Sequence, residues 1–146
     1  MSLKNKILRK LRGGLYLEDY INRGLVVGEN FNMQHGCIID DSHCNLIKIG
    51  NNVTLAPNVH ILAHDASTKM FLGFVKFGKV NIGNNVFIGA GTIILPGVNI
   101  GNRVVIGAGS VVTKDIEDNS VYAGNPAKKI YSLDEYLEKC KKGKSK

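Results

Sequence analysis

The chain of 146 residues has only three cysteines, Cys37, Cys44 and Cys140, which form neither an even set nor a Cys-x-x-Cys pair. That excludes a disulfide framework and points to a reduced, cytoplasmic protein. No apolar stretch is long enough to span a bilayer, and the start MSLKNKILRKLRGG is charged throughout, unlike a signal peptide. The net charge is +7, yet no basic-aromatic motif accompanies it, which argues against nucleic acid as a partner. The basic residues instead crowd the ends, Lys4, Lys6, Arg9, Lys10 and Arg12 at one and Lys139, Lys141, Lys142, Lys144 and Lys146 at the other. Short terminal helices with solvated basic faces account for them, Leu3, Ile7, Leu8 and Leu11 giving the first an apolar side. Attraction to an anionic membrane leaflet is the functional rival of that reading.

What the chain does have is a six-residue period. From Ile82 it reads IGNNVF, IGAGTI, ILPGVN, IGNRVV, IGAGSV, VTKDI, with Ile82, Ile88, Ile94, Ile100, Ile106 and Val112 in one column. Val86, Thr92, Val98, Val104 and Ser110 form a second. Neither an amphipathic helix nor a plain alternating strand has this period. Gly83, Gly89, Pro96, Gly97, Gly101 and Gly107 would break a helix. Short strands wound round a common axis fit it, three six-residue sides closing a coil of 18 residues. Ile82 then stacks on Ile100, Asn84 on Asn102 and Ala90 on Ala108, and the glycines after the aliphatic column are expected to make the tight turns.

Upstream the period is interrupted. Val27, Met33 and Ile39 keep it, as do Ile49, Leu55 and Ile61, with a ten-residue step between the sets. The 21 residues from Ile61 to Ile82, read as one coil plus three, predict a loop that leaves the coil within HDASTKMFLGFVKFGKV. Loops on a rigid scaffold are where chemistry is usually placed. The chain is read as one domain, with repeats over about 24–131, a protruding loop over 65–79 and a C-terminal helix over 132–142.

The hexapeptides and the segment VTLAPNVHILAHD resemble those of the left-handed β-helix acyltransferases that use acetyl-CoA, in particular maltose and galactoside acetyltransferases and polysaccharide O-acetyltransferases. The resemblance implies an all-β, left-handed parallel β-helix, and a homotrimer with acetyl-CoA between adjacent prisms. It implies that His64 is the general base that takes a hydroxyl proton, with a carboxylate of the preceding coil, Asp40 or Asp41, holding its other ring nitrogen. It places donor contacts at Ala90 and Ala108, at the pair Thr113 and Lys114 near the nucleotide end, and at Lys128, which stands where the family has Arg. A second family Arg aligns with Tyr131. His35 replaces an Asn that contacts the acceptor, while His43 is read from its place at the phase break as either lining the same cleft or serving a turn. The function so implied is direct acetyl transfer to a hydroxyl of a sugar or polysaccharide precursor, without metal; no Ser or Cys stands in a nucleophile motif. Its neighbours are N-acetylation of an amino sugar and O-acetylation of serine. Two other classes stand apart: a zinc enzyme of the carbonic anhydrase kind, drawing ligands from His35, His43, His60 and His64, and a non-catalytic scaffold.

Overall fold

Short strands follow the hexapeptides and divide among three parallel sheets visited in rotation. The computed structural model describes Leu3 and residues 16–143; the expected N-terminal helix, apart from Leu3, and the basic residues before residue 16 and after residue 143 lie outside the described residues. Numbered in chain order, β1 (Val26–Val27), β4 (Ile47–Ile49), β9 (Val80–Ile82) and β12 (Asn99–Ile100) form the first sheet. The second holds β2 (Asn32–Met33), β5 (Val53–Leu55), β10 (Val86–Ile88), β13 (Val104–Ile106), β15 (Ser120–Gly124) and β16 (Ala127–Ser132). The third holds β3 (Ile38–Ile39), β6 (His60–Ile61), β11 (Ile93–Ile94) and β14 (Val111–Val112). The helix α1 (Leu17–Asn22) precedes the coils, and α3 (Leu133–Gly143) follows an antiparallel hairpin of β15 and β16.

Ile82 pairs with Ile100, Ile88 with Ile106 and Ile94 with Val112, the 18-residue register that the repeat demands. These side chains, with Val86, Thr92, Val98, Val104 and Ser110, are buried inside the prism. Each coil therefore buries its apolar columns only against the coil above and below, and no single turn is stable by itself. The hydroxyls that enter this interior are satisfied there: Ser110 Oγ donates to the Gly107 carbonyl at 2.6 Å and Thr92 Oγ1 to the same oxygen at 3.1 Å.

Two expectations need correcting. Ile61 lies on the third sheet and Ile82 on the first, so the interval between them is one side plus fifteen inserted residues, not a coil plus three. The turns also do not bend at the glycines that follow the aliphatic column. At the corner from first to second sheet the left-handed residues are Asn30, Asn52, Asn85, Arg103 and Asn119, with φ between 53° and 57°. Asparagine tolerates that conformation because its short amide bonds locally. Here the amides also form a ladder along the axis, Asn30 Nδ2 donating to Asn52 Oδ1 and Asn52 Nδ2 to Asn85 Oδ1, at 3.0 and 3.1 Å. A second ladder runs beside it: Asn84 Oδ1 accepts from the N–H of Asn51, and Asn102 Oδ1 from that of Asn84, at 2.8 and 2.7 Å.

Gly83 serves close approach instead: a Cβ there would stand 2.6 Å from the carbonyl oxygen of Gly101 in the next coil. Because that neighbour is backbone, Gly83→Ala is expected to force the coils apart and cost about 1–3 kcal/mol. Denaturant melting of the variant checks it; a midpoint equal to that of the unmodified chain contradicts the packing argument.

Candidate active site

His64 begins β7 (His64–Asp65) at the corner where the third sheet hands the chain back to the first. There the chain leaves the coil as a ribbon, β7 running antiparallel to β8 (Lys76–Phe77), with α2 (Lys69–Leu72) between them. His64 faces Phe77 across the ribbon and Asp65 faces Lys76. Lys76 Nζ lies 2.7 Å from Asp65 Oδ2 and, together with Ser67, holds that carboxyl well below its usual range. Asp65 thus ties the root of the ribbon together rather than serving His64.

The partner of His64 comes from the coil below. Asp40 directly follows β3, and its N–H donates to the carbonyl of Ile61 at 2.8 Å, which puts its side chain under the start of the ribbon. That side chain is 1% exposed. Its Oδ2 lies 2.5 Å from His64 Nδ1 and accepts from the Ala63 N–H at 2.9 Å, while Oδ1 accepts from the N–H groups of His43 and Ser42 at 3.0 and 3.3 Å. Burial pushes the Asp40 carboxyl up, but the Ala63 N–H and the imidazole of His64 outweigh it and hold the group below its ordinary value. A carboxylate only accepts, so Nδ1 of His64 carries the ring proton and Nε2 keeps its lone pair. The His64 side chain is 36% exposed, open enough to meet a ligand.

Asp41 does not share this role. Its Oδ1 accepts from Tyr20 Oη at 3.0 Å, and that hydroxyl accepts in turn from the Ile39 N–H at 3.3 Å. Burial is the main cause that raises the Tyr20 phenol to about 12, keeping it a neutral donor to Asp41. The pair fastens α1 to the first coil.

His43 does join His64. The two ring centroids are 4.7 Å apart, and His43 meets Phe77 edge-on at 4.8 Å. The sequence leaves Phe77, like the other apolar residues of the loop, open between binding substrate and burying against a neighbour; the pairing of β7 with β8, too short to show a period, brings it here. Among the described residues, one group of side chains could hold a metal ion, Asp40, His43 and His64. His60, half-buried on β6, and His35, exposed in the turn after β2, are not in it.

The other expected residues fall on two corners. Thr113 and Lys114 are exposed just after β14, at the same corner as His64 but two coils along, roughly 10 Å at the usual strand spacing. Ala90 and Ala108 are exposed on successive coils at the neighbouring corner, between second and third sheets, with the Gly109 N–H donating to the Ala90 carbonyl at 2.7 Å. His35 is at that corner too, so one chain does not bring it, Ala90 or Ala108 to the corner of His64. Lys128 is exposed on β16, and Tyr131 on the same strand carries Lys139 Nζ 3.7 Å above its ring.

A family model described as bacterial transferase hexapeptide (six repeats) matches residues 79–114. The Saccharomyces cerevisiae protein YJL218W, named provisionally as an acetyltransferase, is 39% identical over 144 residues, covering 90% of this chain and 72% of the relative. The chain belongs to the hexapeptide-repeat acetyltransferases. Within that family, Protein CapG of Staphylococcus aureus is 54% identical over 98 residues, which cover 64% of this chain and 57% of CapG. A solved galactoside acetyltransferase in complex with coenzyme A superposes with a TM-score of 0.62 at 34% identity, over 77% of this chain and 62% of that one. The chain spans between half and three fifths of the length of CapG and of several other curated relatives, the galactoside O-acetyltransferases of Lactococcus lactis and Escherichia coli among them.

Proposed function

We propose that the protein transfers acetyl from acetyl-CoA to a hydroxyl of a sugar or saccharide precursor, with His64 as general base, on a left-handed β-helix. The observation that carries the reading is the buried Asp40 carboxylate held against Nδ1 of a half-exposed His64 at the root of the ribbon. Nε2 takes the acceptor proton while the acceptor oxygen attacks the acetyl carbon; the C–S bond then breaks and the thiolate of coenzyme A leaves, recovering the proton from His64. Asp40 holds the tautomer and stabilises the imidazolium that forms in between.

The similarity to a coenzyme A-bound galactoside acetyltransferase supports the donor and the sugar class. Ala90 and Ala108 are read as the edge along which the pantetheine arm lies, with Thr113, Lys114 and Lys128 toward the nucleotide phosphates. Their division between two corners supports a donor site shared by adjacent prisms of a homotrimer, His64 coming from one chain and the alanine edge from the next. The ribbon supports the same reading: Met70, Phe71, Leu72, Phe74 and Phe77 are all exposed on it.

Purified protein is expected to release free thiol from acetyl-CoA when a hydroxyl sugar is supplied, and to sediment and scatter light as a trimer at micromolar concentration. Thiol release with amino sugars or serine but no hydroxyl sugar would move the reaction to another acceptor, and no release with any of them would overturn the transfer. A monomer by light scattering would remove the shared site.

A further inference from the structure

Acetyl transfer requires one imidazole at the ribbon root, yet the corner holds two beside a single buried carboxylate. His43 Nδ1 is 3.5 Å from Asp40 Oδ1, not aligned to bond it, and is buried without any hydrogen-bond partner. A buried ring nitrogen left unpaired is uncommon, because it forfeits its bond to water and gains none in return. Asp40 is fixed by three backbone N–H groups, so the carboxylate cannot swing away to relieve the mismatch. One ligand atom each from Asp40, His43 and His64 lies within 4.8 Å of the other two.

We propose that Asp40, His43 and His64 form a binding site for a divalent ion of the zinc class, and that filling it switches the enzyme off. Nitrogen and oxygen donors about 2.0–2.2 Å from a tetrahedral zinc stand roughly 3.4 Å from one another. The separation of Asp40 Oδ1 from His43 Nδ1 already matches this. Two imidazoles with one carboxylate suit zinc, cobalt or nickel, whereas magnesium and calcium prefer oxygen alone. The side chains of His64 and His43 are each about one third exposed, so the cluster stands at the surface of the corner rather than deep in the prism. An ion at this position would give the orphaned nitrogen of His43 a partner.

The inhibitory consequence rests on His64 being the base. An ion on Nε2 occupies the lone pair that would take the acceptor proton. An ion on Nδ1 displaces its proton, and a neutral ring coordinated there carries its hydrogen on Nε2. Either way the base is lost.

The test is titration of the full chain with Co²⁺ alone, without acetyl-CoA, read by the visible absorption of cobalt in a low-coordinate site. One Co²⁺ per chain is expected, displaced by Zn²⁺. His43→Phe, which keeps an aromatic ring against Phe77, should weaken it by more than the roughly 10–100-fold that losing even an outer-shell partner costs. His60→Ala and Cys140→Ser should bind as the unmodified chain does. Should His43→Phe fail to fold, His64→Phe gives the same reading. Absence of saturable one-to-one binding overturns the proposal, as does a folded His43→Phe or His64→Phe chain that binds as tightly as the unmodified one. Zn²⁺ should also stop thiol release, and a chelator restore it; a chain that turns over at full rate with zinc bound overturns the switch. Because Co²⁺ binding is read without turnover, its failure is distinct from failure of the acetyl-transfer reading.

Discussion

His64→Ala is expected to lower kcat by on the order of 100-fold to 10,000-fold, the range lost when a general base is removed, with little change in the affinity for acetyl-CoA. The proton on the attacking hydroxyl then has only water to receive it. The expected donor contacts at Ala90, Ala108, Thr113, Lys114 and Lys128 do not pass through His64. Steady-state kinetics with saturating acceptor, together with calorimetric titration of the donor, separates the two quantities. The variant should also be folded, since a side chain that is one third exposed supports no core. A His64→Ala enzyme with near-normal turnover removes the base from this corner altogether.

Asp40→Asn is the second large effect, and it tests orientation rather than proton transfer. Asparagine has one accepting oxygen and one NH₂ group, whereas Asp40 accepts from His64, Ala63, Ser42 and His43 through two oxygens. With the NH₂ toward His64, the imidazole must present a lone pair at Nδ1 and carry its proton on Nε2, where no base remains. With the NH₂ toward Ser42 and His43, two backbone donors lose their acceptor instead. A fall in kcat of about 100-fold to 10,000-fold is expected, since the comparable carboxylate-to-amide change in serine proteases reaches the upper figure through the wrong tautomer. The loss of stability should be about 1–3 kcal/mol for the buried donor left unpaired. The pH dependence has a definite sign: Asp40 is held below its ordinary value when folded, so its contribution is present above about pH 4 and is lost as the pH falls through the folded value. Acid melting of the unmodified chain should therefore show a limb that the Asn variant lacks. Full activity in Asp40→Asn would mean that the tautomer is set elsewhere.

The coil was legible because Ile82, Ile88, Ile94, Ile100, Ile106 and Val112 repeat without interruption, and the parallel pairing depends on little else. The choice between Asp40 and Asp41 was not, because a period places a segment on a coil but does not say which of two adjacent side chains points at the next residue up. That was decided by Tyr20, whose hydroxyl claims Asp41 from a helix outside the repeat. His43 lies within the ten-residue step from Ile39 to Ile49, just before the 3-10 turn Cys44–Leu46 that breaks the phase and removes any pattern to argue from. The role of the glycines was misread for a related reason. Close approach between coils and a left-handed turn both favour glycine, and the sequence alone does not show that Asn52, Asn85 and Arg103 carry the turn.

The connections from third to first sheet take 7, 18, 4 and 3 residues in successive coils, while those from second to third take four every time. Length varies by more than one residue at a single corner, and it is the corner that bears His64. The strands on either side still pair in register across the longest of these connections, Ile61 with Ile94 and Ile49 with Ile82. Lengthening, trimming or exchanging the tip of the ribbon, between Asp65 and Lys76, is therefore expected to leave the coils in register while recasting what surrounds the imidazole, whereas Gly78, whose N–H donates to the Ala63 carbonyl at 3.0 Å, belongs to the coil. The prism and the surroundings of His64 are thus carried by different stretches of the chain, the one by the repeat and the other by a single excursion from it.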